Sequence, residues 1–183
     1  ILIEELKERM AGKKVKAALF YSFNFDARFF ENYILTQFLP DVSFSNNEIQ
    51  NAILWKKYQN ELPTITVFCD FHAKGTTGPG LAYNVIPIDM PINDSGRKPC
   101  FHSKQSYILL EDSSLIVIGG SNNITQSGWC YNIEGVNVFH FTPYANENIR
   151  YFPRTLKDRF RDLCRNVRRD VLTQENSTEP EKI

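Results

Sequence analysis

Three apolar runs separated by short polar links constrain the fold of this chain most strongly. They lie within residues 102–110, 115–119 and 135–141, and the apolar residues of the last two are mostly the β-branched and aromatic types that favour strands. Residues 111–114, which join the first two runs, have the length of a hairpin link. We therefore expect three neighbouring strands of one sheet in this part of the chain.

Further strand-like segments precede these three runs. They cover residues 15–23, 64–70 and 84–89. The last of them is interrupted by Pro87, which cannot donate a hydrogen bond to a neighbouring strand, so we expect this strand near a sheet edge.

Helix-like segments alternate with the strands. The expected helices cover residues 1–10, residues 27–39 and a segment through Ile49, Ile53 and Trp55. Asp26 can cap the second helix and Pro40 can end it. Glycine and proline place loops at residues 75–80 and 91–99. Strands interleaved with helices predict an α/β (α+β) sandwich, in which helices flank a mixed β-sheet.

The size and composition are those of a globular protein with one sizeable core. The chain has 183 residues, of which 42% are hydrophobic and 13% aromatic. We expect a single domain over residues 1–172 and a frayed polar tail over residues 173–183. No apolar run approaches the ~20 residues of a membrane span and no signal peptide is visible, so we expect no membrane association. Because the chain begins with Ile1 instead of Met, we expect it to be trimmed or to be part of a longer protein.

Cysteine spacing and the lack of cofactor motifs narrow the chemistry. The four cysteines lack the close C-x-x-C spacing of a zinc or redox site, and isolated thiols of this kind are typical of a reduced, cytoplasmic protein. They are Cys69, Cys100, Cys130 and Cys164. The sequence offers neither a nucleotide-binding glycine loop nor the carboxylate-rich cluster of a two-metal nuclease, so we expect no cofactor and no metal.

The formal net charge is zero, but positive charge is concentrated between residues 150 and 169. Apolar residues recur at helical spacing in this basic segment, which predicts a helix with a basic flank. The basic residues are Arg150, Arg154, Lys157, Arg159, Arg161, Arg165, Arg168 and Arg169. The flank is either a solvated surface or a wall that contacts nucleic-acid phosphates, in which case Arg161 and Arg165 bind the substrate.

A series of polar residues at the ends of the last three expected strands carries the candidate chemistry. His102 and Lys104 begin the first of these strands, and residues two apart in a strand project from the same face. An imidazole can attack phosphorus and form a phospho-histidine, while a neighbouring ammonium can hold a phosphate oxygen. These two residue types therefore suit the cleavage of a phosphodiester.

The remaining members of the series supply hydrogen-bonding groups. The amide of Asn123, the hydroxyl of Ser121 and the backbone N–H groups around Gly120 can donate to phosphate oxygens, because glycine allows a close approach. Glu134 can hold the imidazole in its reactive tautomer. Trp129 lies between Asn123 and Glu134 in the sequence, and is either a core residue or a pocket residue that stacks a base.

Two other histidines are expected to have no catalytic role. His72 begins a second H-x-K, but this one leads into a glycine-rich loop and no G-S-x-N follows at the right distance. His140 lies in an expected strand without a lysine two residues later, so we interpret it as structural.

The spacing H-x-K … G-S-x-N … N-x-E resembles the phospholipase D superfamily, and within it the branch of metal-independent restriction endonucleases. A second resemblance is to the tyrosyl-DNA phosphodiesterases. The resemblance implies a phospholipase D-like half unit, a metal-independent phosphodiesterase or nuclease, and a covalent phospho-histidine intermediate on His102. Members of the superfamily have Asp five residues after the lysine, whereas this chain has Leu109; Asp112 is nearby but falls in the hairpin link.

The resemblance also implies the partners. Two H-x-K halves meet in this superfamily, so either two chains form a homodimer around one site or a second half-domain is missing from this chain. The implied substrate is nucleic acid, with DNA favoured over RNA. The alternative function is a catalytically degenerate module that binds nucleic acid or a protein partner, and lipid hydrolysis ranks last because no membrane-docking helix is evident.

Overall fold

The computed structural model describes residues 2–45, 47–73 and 83–142, together with Asp158 and Arg161. Six strands form one sheet in the order β3-β2-β1-β4-β5-β6. The strands are β1 (Val15–Ser22), β2 (Thr64–Asp70), β3 (Asn84–Ile88), β4 (Gln105–Leu110), β5 (Leu115–Gly120) and β6 (Val136–Phe141). The expected mixed sheet is confirmed, and β3, which contains Pro87, lies at an edge as predicted.

The sheet is parallel on one side of β1 and antiparallel on the other. Strands β1, β2 and β3 run parallel, whereas β4 is antiparallel to β1, β5 to β4 and β6 to β5. This topology places the carboxyl-terminal ends of β1, β2 and β5 and the amino-terminal ends of β4 and β6 along the same end of the sheet. This end, where strands start or stop, is called the site edge below. Tyr21 pairs with Gln105, and Gln105 pairs with Gly119. The polar residues singled out above follow or precede these strand ends.

The described helices pack against one face of the sheet. They are α1 (Leu2–Met10), α2 (Ala27–Phe29), which continues as a π-helix (Phe30–Ile34) and a 3-10 helix (Leu35–Phe38), and α3 (Glu48–Tyr58), followed by a 3-10 turn (Gln59–Glu61). Because side chains alternate along a strand, β1 contributes Phe20 to the helix-covered core and Tyr21 to a smaller cluster on the other face. Burial of both faces explains why the interior strand β2 is almost continuously apolar.

The segment expected to be one helix over residues 27–39 is three short helices in succession. Asp26 caps it as predicted, since its carboxylate accepts a hydrogen bond from the N–H of Phe29 at 3.1 Å. The apolar residues of this segment fall on one side whether it is an α-helix, a 3-10 helix or a π-helix. Their spacing in the sequence therefore does not distinguish the three helix types. The loop at 75–80, most of the basic segment and the tail at 173–183 lie outside the described residues.

The strand predicted over residues 102–110 begins only at Gln105. Residues 101–104 precede the ladder between β4 and its neighbours, and this short stretch is called the lead-in segment below. Asp112 lies in the hairpin turn as expected, where Lys13 forms an ion pair with it at 2.7 Å and Ser114 donates to it. These contacts hold the pKa of Asp112 well below its usual range, at the sheet edge opposite the lead-in segment. None of the described helices is both long enough and apolar enough to cross a membrane.

Candidate active site

The side chains of His102 and Lys104 meet, as the spacing predicted, although the lead-in segment that carries them is not part of the strand. The ammonium nitrogen Nζ of Lys104 lies 3.1 Å from both Nδ1 and Nε2 of the imidazole. It also donates to the carbonyl oxygen of His102 at 3.4 Å. His102 is exposed, whereas Lys104 is only 9% exposed. The imidazole is therefore open to solvent, with a mostly buried lysine side chain directly beside it.

Burial of Lys104 lowers the pKa of its ammonium, because a cation loses hydration when it leaves water. The nearby Cys100 and Glu134 act in the opposite direction, since negative charge favours the protonated form. Lys104 thus lies within electrostatic reach of Glu134, although 30 residues separate them in the sequence. An incompletely hydrated ammonium binds a phosphate oxygen more strongly than one in bulk water does, because less water has to be displaced.

An aromatic ring adjoins this pair. The ring of Phe23, which follows β1, lies 5.1 Å from the imidazole of His102, measured between centroids, at an interplanar angle of 40°. The ammonium of Lys104 lies 5.6 Å from the centroid of the same ring, within the range of a cation–π interaction. Phe23 therefore contacts both members of the pair.

Asn123 is held by the loop that follows β1. Its side-chain oxygen accepts a hydrogen bond from the backbone N–H of Asn24 at 3.1 Å. The buried hydroxyl of Ser22 accepts a hydrogen bond from the N–H of Ile124 at 2.8 Å, and the N–H of Asp26 donates to the carbonyl of Ile124 at 2.9 Å. Because its oxygen is engaged, the amide of Asn123 has its NH₂ group as donor, which is the group that a phosphate oxygen needs.

The carboxylate of Glu134 has other partners than the one predicted from the sequence. Within the described residues, it accepts hydrogen bonds from the hydroxyl of Ser121 and from the side-chain amide of Asn132, not from the imidazole of His102. These two hydrogen bonds lower the pKa of Glu134, so the carboxylate stays ionised at neutral pH. The hydroxyl of Ser121 also accepts from the N–H of Gly135 at 3.1 Å. Ser121 thus fastens the loop after β5 to the start of β6, instead of presenting a free hydroxyl.

Two glycines are required by close backbone packing. A Cβ on Gly120 would lie 2.2 Å from the carbonyl oxygen of Gly135. Glycine is therefore required here because the backbone at Gly135 packs closely against it, and not because a ligand approaches, as the sequence suggested. A Cβ on Gly128 would lie 2.5 Å from the carbonyl oxygen of Asn123. The first glycine thus permits the approach of β6, and the second supports the loop that carries Asn123.

The other predicted substrate-binding residues are placed differently. Trp129 lies in a π-helical turn (Ser127–Tyr131), is 3% exposed and packs near Phe29, so it is part of the core. Arg161 is exposed and forms an ion pair with Asp158 at 2.9 Å. Arg165 lies outside the described residues.

The two remaining histidines lie in the elements that the sequence indicated. His72 is exposed in the turn after β2, where its N–H donates to the carboxylate of Asp70, and His140 is on β6.

Sequence reasoning missed the residues that hold the site in place. Phe23 and Asn24 follow β1, Ser22 ends that strand, and Asp70 ends β2. Their position after strands on the site edge was visible in the sequence as polar and aromatic residues that follow apolar runs. Which loops they contact was not visible, because those partners are distant in the chain.

A groove of about 730 Å³ runs between α1, the π-helical turn and β6, and Glu134 lies in its wall. The wall from α1 carries Glu4, Glu5 and Glu8 together with Arg9. This excess of carboxylates makes the groove unfavourable for a polyanion. Within the described residues, no group of three or more His, Cys, Asp or Glu side chains is arranged to hold a metal ion.

The sheet and helices define the architecture of the protein: the chain has an α/β fold that is also found in a solved structure. NucT from Helicobacter pylori superposes with a TM-score of 0.54 at 10% sequence identity, over 91% of this chain and 89% of that one. Nuc from Salmonella typhimurium, a phospholipase D family member, gives 0.48 at 14% identity, over 90% and 88%. Yeast tyrosyl-DNA phosphodiesterase gives 0.44 at 16% identity, over 76% of this chain and 29% of that one.

No protein-family model matches the sequence, and no curated protein is significantly similar to it. The predicted fold is confirmed by the comparison with NucT. The likeness to NucT, at 10% identity, establishes the fold.

Proposed function

We propose that this protein is a metal-independent phosphodiesterase, and specifically a nuclease that forms a covalent phospho-histidine on His102. The observation that carries the proposal is the position of the Lys104 ammonium, 3.1 Å from both ring nitrogens of an exposed imidazole. An imidazole with an open approach is a nucleophile that can attack phosphorus. When a phosphate binds, the same ammonium is available to one of its oxygens.

The reaction then has two steps. A ring nitrogen of His102 attacks phosphorus and the bond to the leaving oxygen breaks, with Lys104 and the NH₂ group of Asn123 stabilising the charge on the phosphoryl oxygens. The leaving oxygen takes a proton from a second imidazole, which acts as general acid. In the second step water attacks phosphorus, the P–N bond breaks and His102 is regenerated. The second imidazole accepts the proton of that water.

A second copy of the chain is proposed to supply the general acid. Only His102 combines the H-x-K spacing with the downstream G-S-x-N and N-x-E residues, so one chain provides one half of such a site. Two chains related by a two-fold axis would place both copies of His102 across one phosphate.

Nucleic acid is the proposed substrate, with DNA favoured over RNA. The basic segment between residues 150 and 169 provides the positive charge that phosphate backbones require, and we assign phosphate contacts to Arg161 and Arg165 within it. The acidic groove along α1 supports an approach from another side. Reversing the charge of both arginines is expected to weaken binding and reduce its salt dependence.

Leu109 stands where members of the superfamily have Asp, five residues after the lysine. This position is not at the site edge, so the substitution removes no group from there. Leu109 is half-buried in β4, where it pairs with Leu115 and Ala17. Gln105 begins this strand, so Leu109 lies about 13 Å further along it, near the opposite sheet edge. This position favours an active enzyme over the degenerate binding module.

The test is cleavage of labelled single- and double-stranded DNA and RNA in excess EDTA, comparing the parent protein with His102→Ala. His72→Ala is the matched control, because His72 also belongs to an H-x-K. We expect cleavage in EDTA by the parent and the control, and a loss of at least about 10³-fold in His102→Ala. Equal cleavage by His102→Ala would refute the covalent mechanism. Binding without cleavage by the parent would favour the binding module.

The dimer has its own test. Increasing amounts of His102→Ala chains are mixed with a fixed amount of parent protein under conditions that allow subunits to exchange. If each site needs both imidazoles, activity falls as mixed dimers form. Unchanged activity, with exchange verified by differently labelled chains, would show that one chain is sufficient.

A further inference from the structure

The lead-in segment, residues 101–104, requires an anchor because it carries the catalytic pair outside the sheet. The N–H of Phe101 donates to the carboxylate oxygen Oδ2 of Asp70 at 2.8 Å. At the other end of the segment, the carbonyl of Lys104 accepts from the N–H of Gly120 at 3.4 Å. The first of these hydrogen bonds is short and involves a charged acceptor, so it is the stronger restraint on the backbone immediately before His102.

Asp70 joins three loops at the site edge. It ends β2, is only 4% exposed, and its own N–H donates to the carbonyl of Phe23 at 3.3 Å. Its second carboxylate oxygen accepts from the N–H of His72 at 2.9 Å. The buried carboxylate of Asp70 thus connects the segment before His102 with the turn after β2, and the backbone N–H of the same residue connects both to Phe23, whose ring contacts the catalytic pair.

The side chain of Phe101 strengthens the same attachment. It is 6% exposed, and its ring packs edge-to-face against Tyr21 with centroids 6.2 Å apart. The backbone before His102 is therefore held through both a hydrogen bond and a buried ring. With both groups fixed, few backbone torsions remain free between the anchor and the imidazole.

We propose that Asp70 is a positioning residue that fixes the imidazole of His102 for attack by holding the lead-in segment. The proposal rests on the proposed function in assigning attack to His102. Misplacement of a nucleophile by about 1 Å can reduce a rate by about 10²-fold, so a loosened lead-in segment should act mainly on kcat.

The principal variant is Asp70→Asn, which keeps the shape of the side chain. It leaves one oxygen to accept a hydrogen bond and presents an NH₂ group to the other backbone N–H. The matched control is Asp112→Asn, the same substitution at a carboxylate that accepts from the N–H of Ser114 in the hairpin at the opposite sheet edge. We expect kcat to fall about 10- to 100-fold in Asp70→Asn, with KM changed less than about threefold, and no change in kcat in the control.

Two NMR measurements test the placement without requiring catalysis. The imidazole ¹³Cε1 signal of His102, assigned by its loss in His102→Ala, should shift or broaden in Asp70→Asn and not in Asp112→Asn. In the parent protein the amide proton of Phe101 should exchange with solvent as slowly as those within β4, because its N–H is bonded to a buried carboxylate. This second measurement remains decisive if Asp70→Asn fails to fold.

The outcomes separate the two proposals. A folded Asp70→Asn with unchanged kcat and an unchanged His102 signal would overturn the positioning role, as would fast exchange of the Phe101 amide. An equal fall in kcat in both variants would assign the loss to general destabilisation. If the parent cleaves nothing while the NMR results are as expected, the proposed nuclease function fails and the structural restraint on His102 stands.

Discussion

The ring of Phe23 lies 5.1 Å from the imidazole of His102 and 5.6 Å from the ammonium of Lys104, measured from the ring centroid. One aromatic side chain from the end of β1 therefore contacts two residues that precede β4. This relationship explains how a cation and an imidazole are held together at a half-open site: the ring's electron-rich face attracts the ammonium while its surface restricts the imidazole.

Replacing Phe23 with leucine should weaken this arrangement without removing a chemical group. A cation–π interaction at a partly exposed site contributes about 0.5–1 kcal/mol, so we expect a two- to fivefold loss of kcat/KM. Steady-state kinetics, with thermal unfolding measured in parallel, checks the prediction. Phe139→Leu, at an exposed position on β6, provides the comparison and should retain full activity.

The charge of Lys104 should set the alkaline limit of activity. Because burial lowers the pKa of its ammonium, activity should decline as pH rises through a midpoint below the 10.5 of an ordinary lysine. Lys104→Arg keeps the cation at all accessible pH values, so its residual activity should lack this decline, even though its kcat is lower because the guanidinium geometry differs. The measurement is kcat against pH, with folding verified at each pH. An alkaline decline that persists in Lys104→Arg would assign the limit to another group.

Gly120 and Gly119 offer a test of backbone packing at adjacent positions. A Cβ on Gly120 would lie 2.2 Å from the carbonyl oxygen of Gly135, whereas a Cβ on Gly119 meets nothing within 4 Å. We expect Gly120→Ala to lower the free energy of unfolding by about 2 kcal/mol or more and to reduce activity, because it displaces the strand start next to Glu134. Gly119→Ala should change stability by less than about 1 kcal/mol. Denaturant unfolding measures the free energy of unfolding of both variants. Equal values for the two would contradict the packing argument.

Glu31 should make stability depend on pH. Burial raises the pKa of its carboxyl group from 4.5 to about 7, against the opposing hydrogen bond that it accepts from Tyr83 at 2.9 Å. Between these two pH values the folded state binds more protons than the unfolded state, so the free energy of unfolding should fall as pH rises through this window and then level off.

Glu31→Gln should remove that slope, because the amide does not ionise. Above pH 7 the variant is expected to be more stable than the parent by up to about 3 kcal/mol. Urea unfolding at about pH 5 and about pH 8 measures the slope, with Glu111→Gln in the exposed hairpin as the control. If the parent protein is equally stable at both pH values, folding does not raise the pKa of Glu31, and the prediction is wrong.

Local sequence pattern predicted the secondary structure well where burial enforces it. The strand expected over residues 64–70 matches β2 at both ends, because this strand is buried on both faces and is correspondingly apolar. Asp26 was recognised as a helix cap because its chemistry is local. The start of β4 was placed three residues too early, because His102 and Lys104 alternate as strand residues do although their backbone is held by Asp70.

The candidate site was only partly predictable. The residue types and the meeting of His102 with Lys104 followed from sequence spacing, since those two residues are close in the chain. The partners of Glu134 could not be predicted in this way, because a carboxylate beside β5 and β6 has several hydrogen-bond donors within reach. The sequence does not indicate which of these donors it binds. Trp129 was ambiguous for a related reason, since a tryptophan next to site residues packs inward or outward according to the neighbouring helix.

The sequence by itself determined the chemical groups, the strands and helices, and the short-range contacts, because these depend on residue type and on periodicity over a few residues. The tertiary structure decided which loops support which residue of the candidate site. Asn24 bonds to Asn123 across 99 residues of sequence, Ser22 to Ile124 across 102, and Asp70 to Phe101 across 31. Such contacts are set by the order and direction of the strands, and local hydrophobic patterns contain no information about that order.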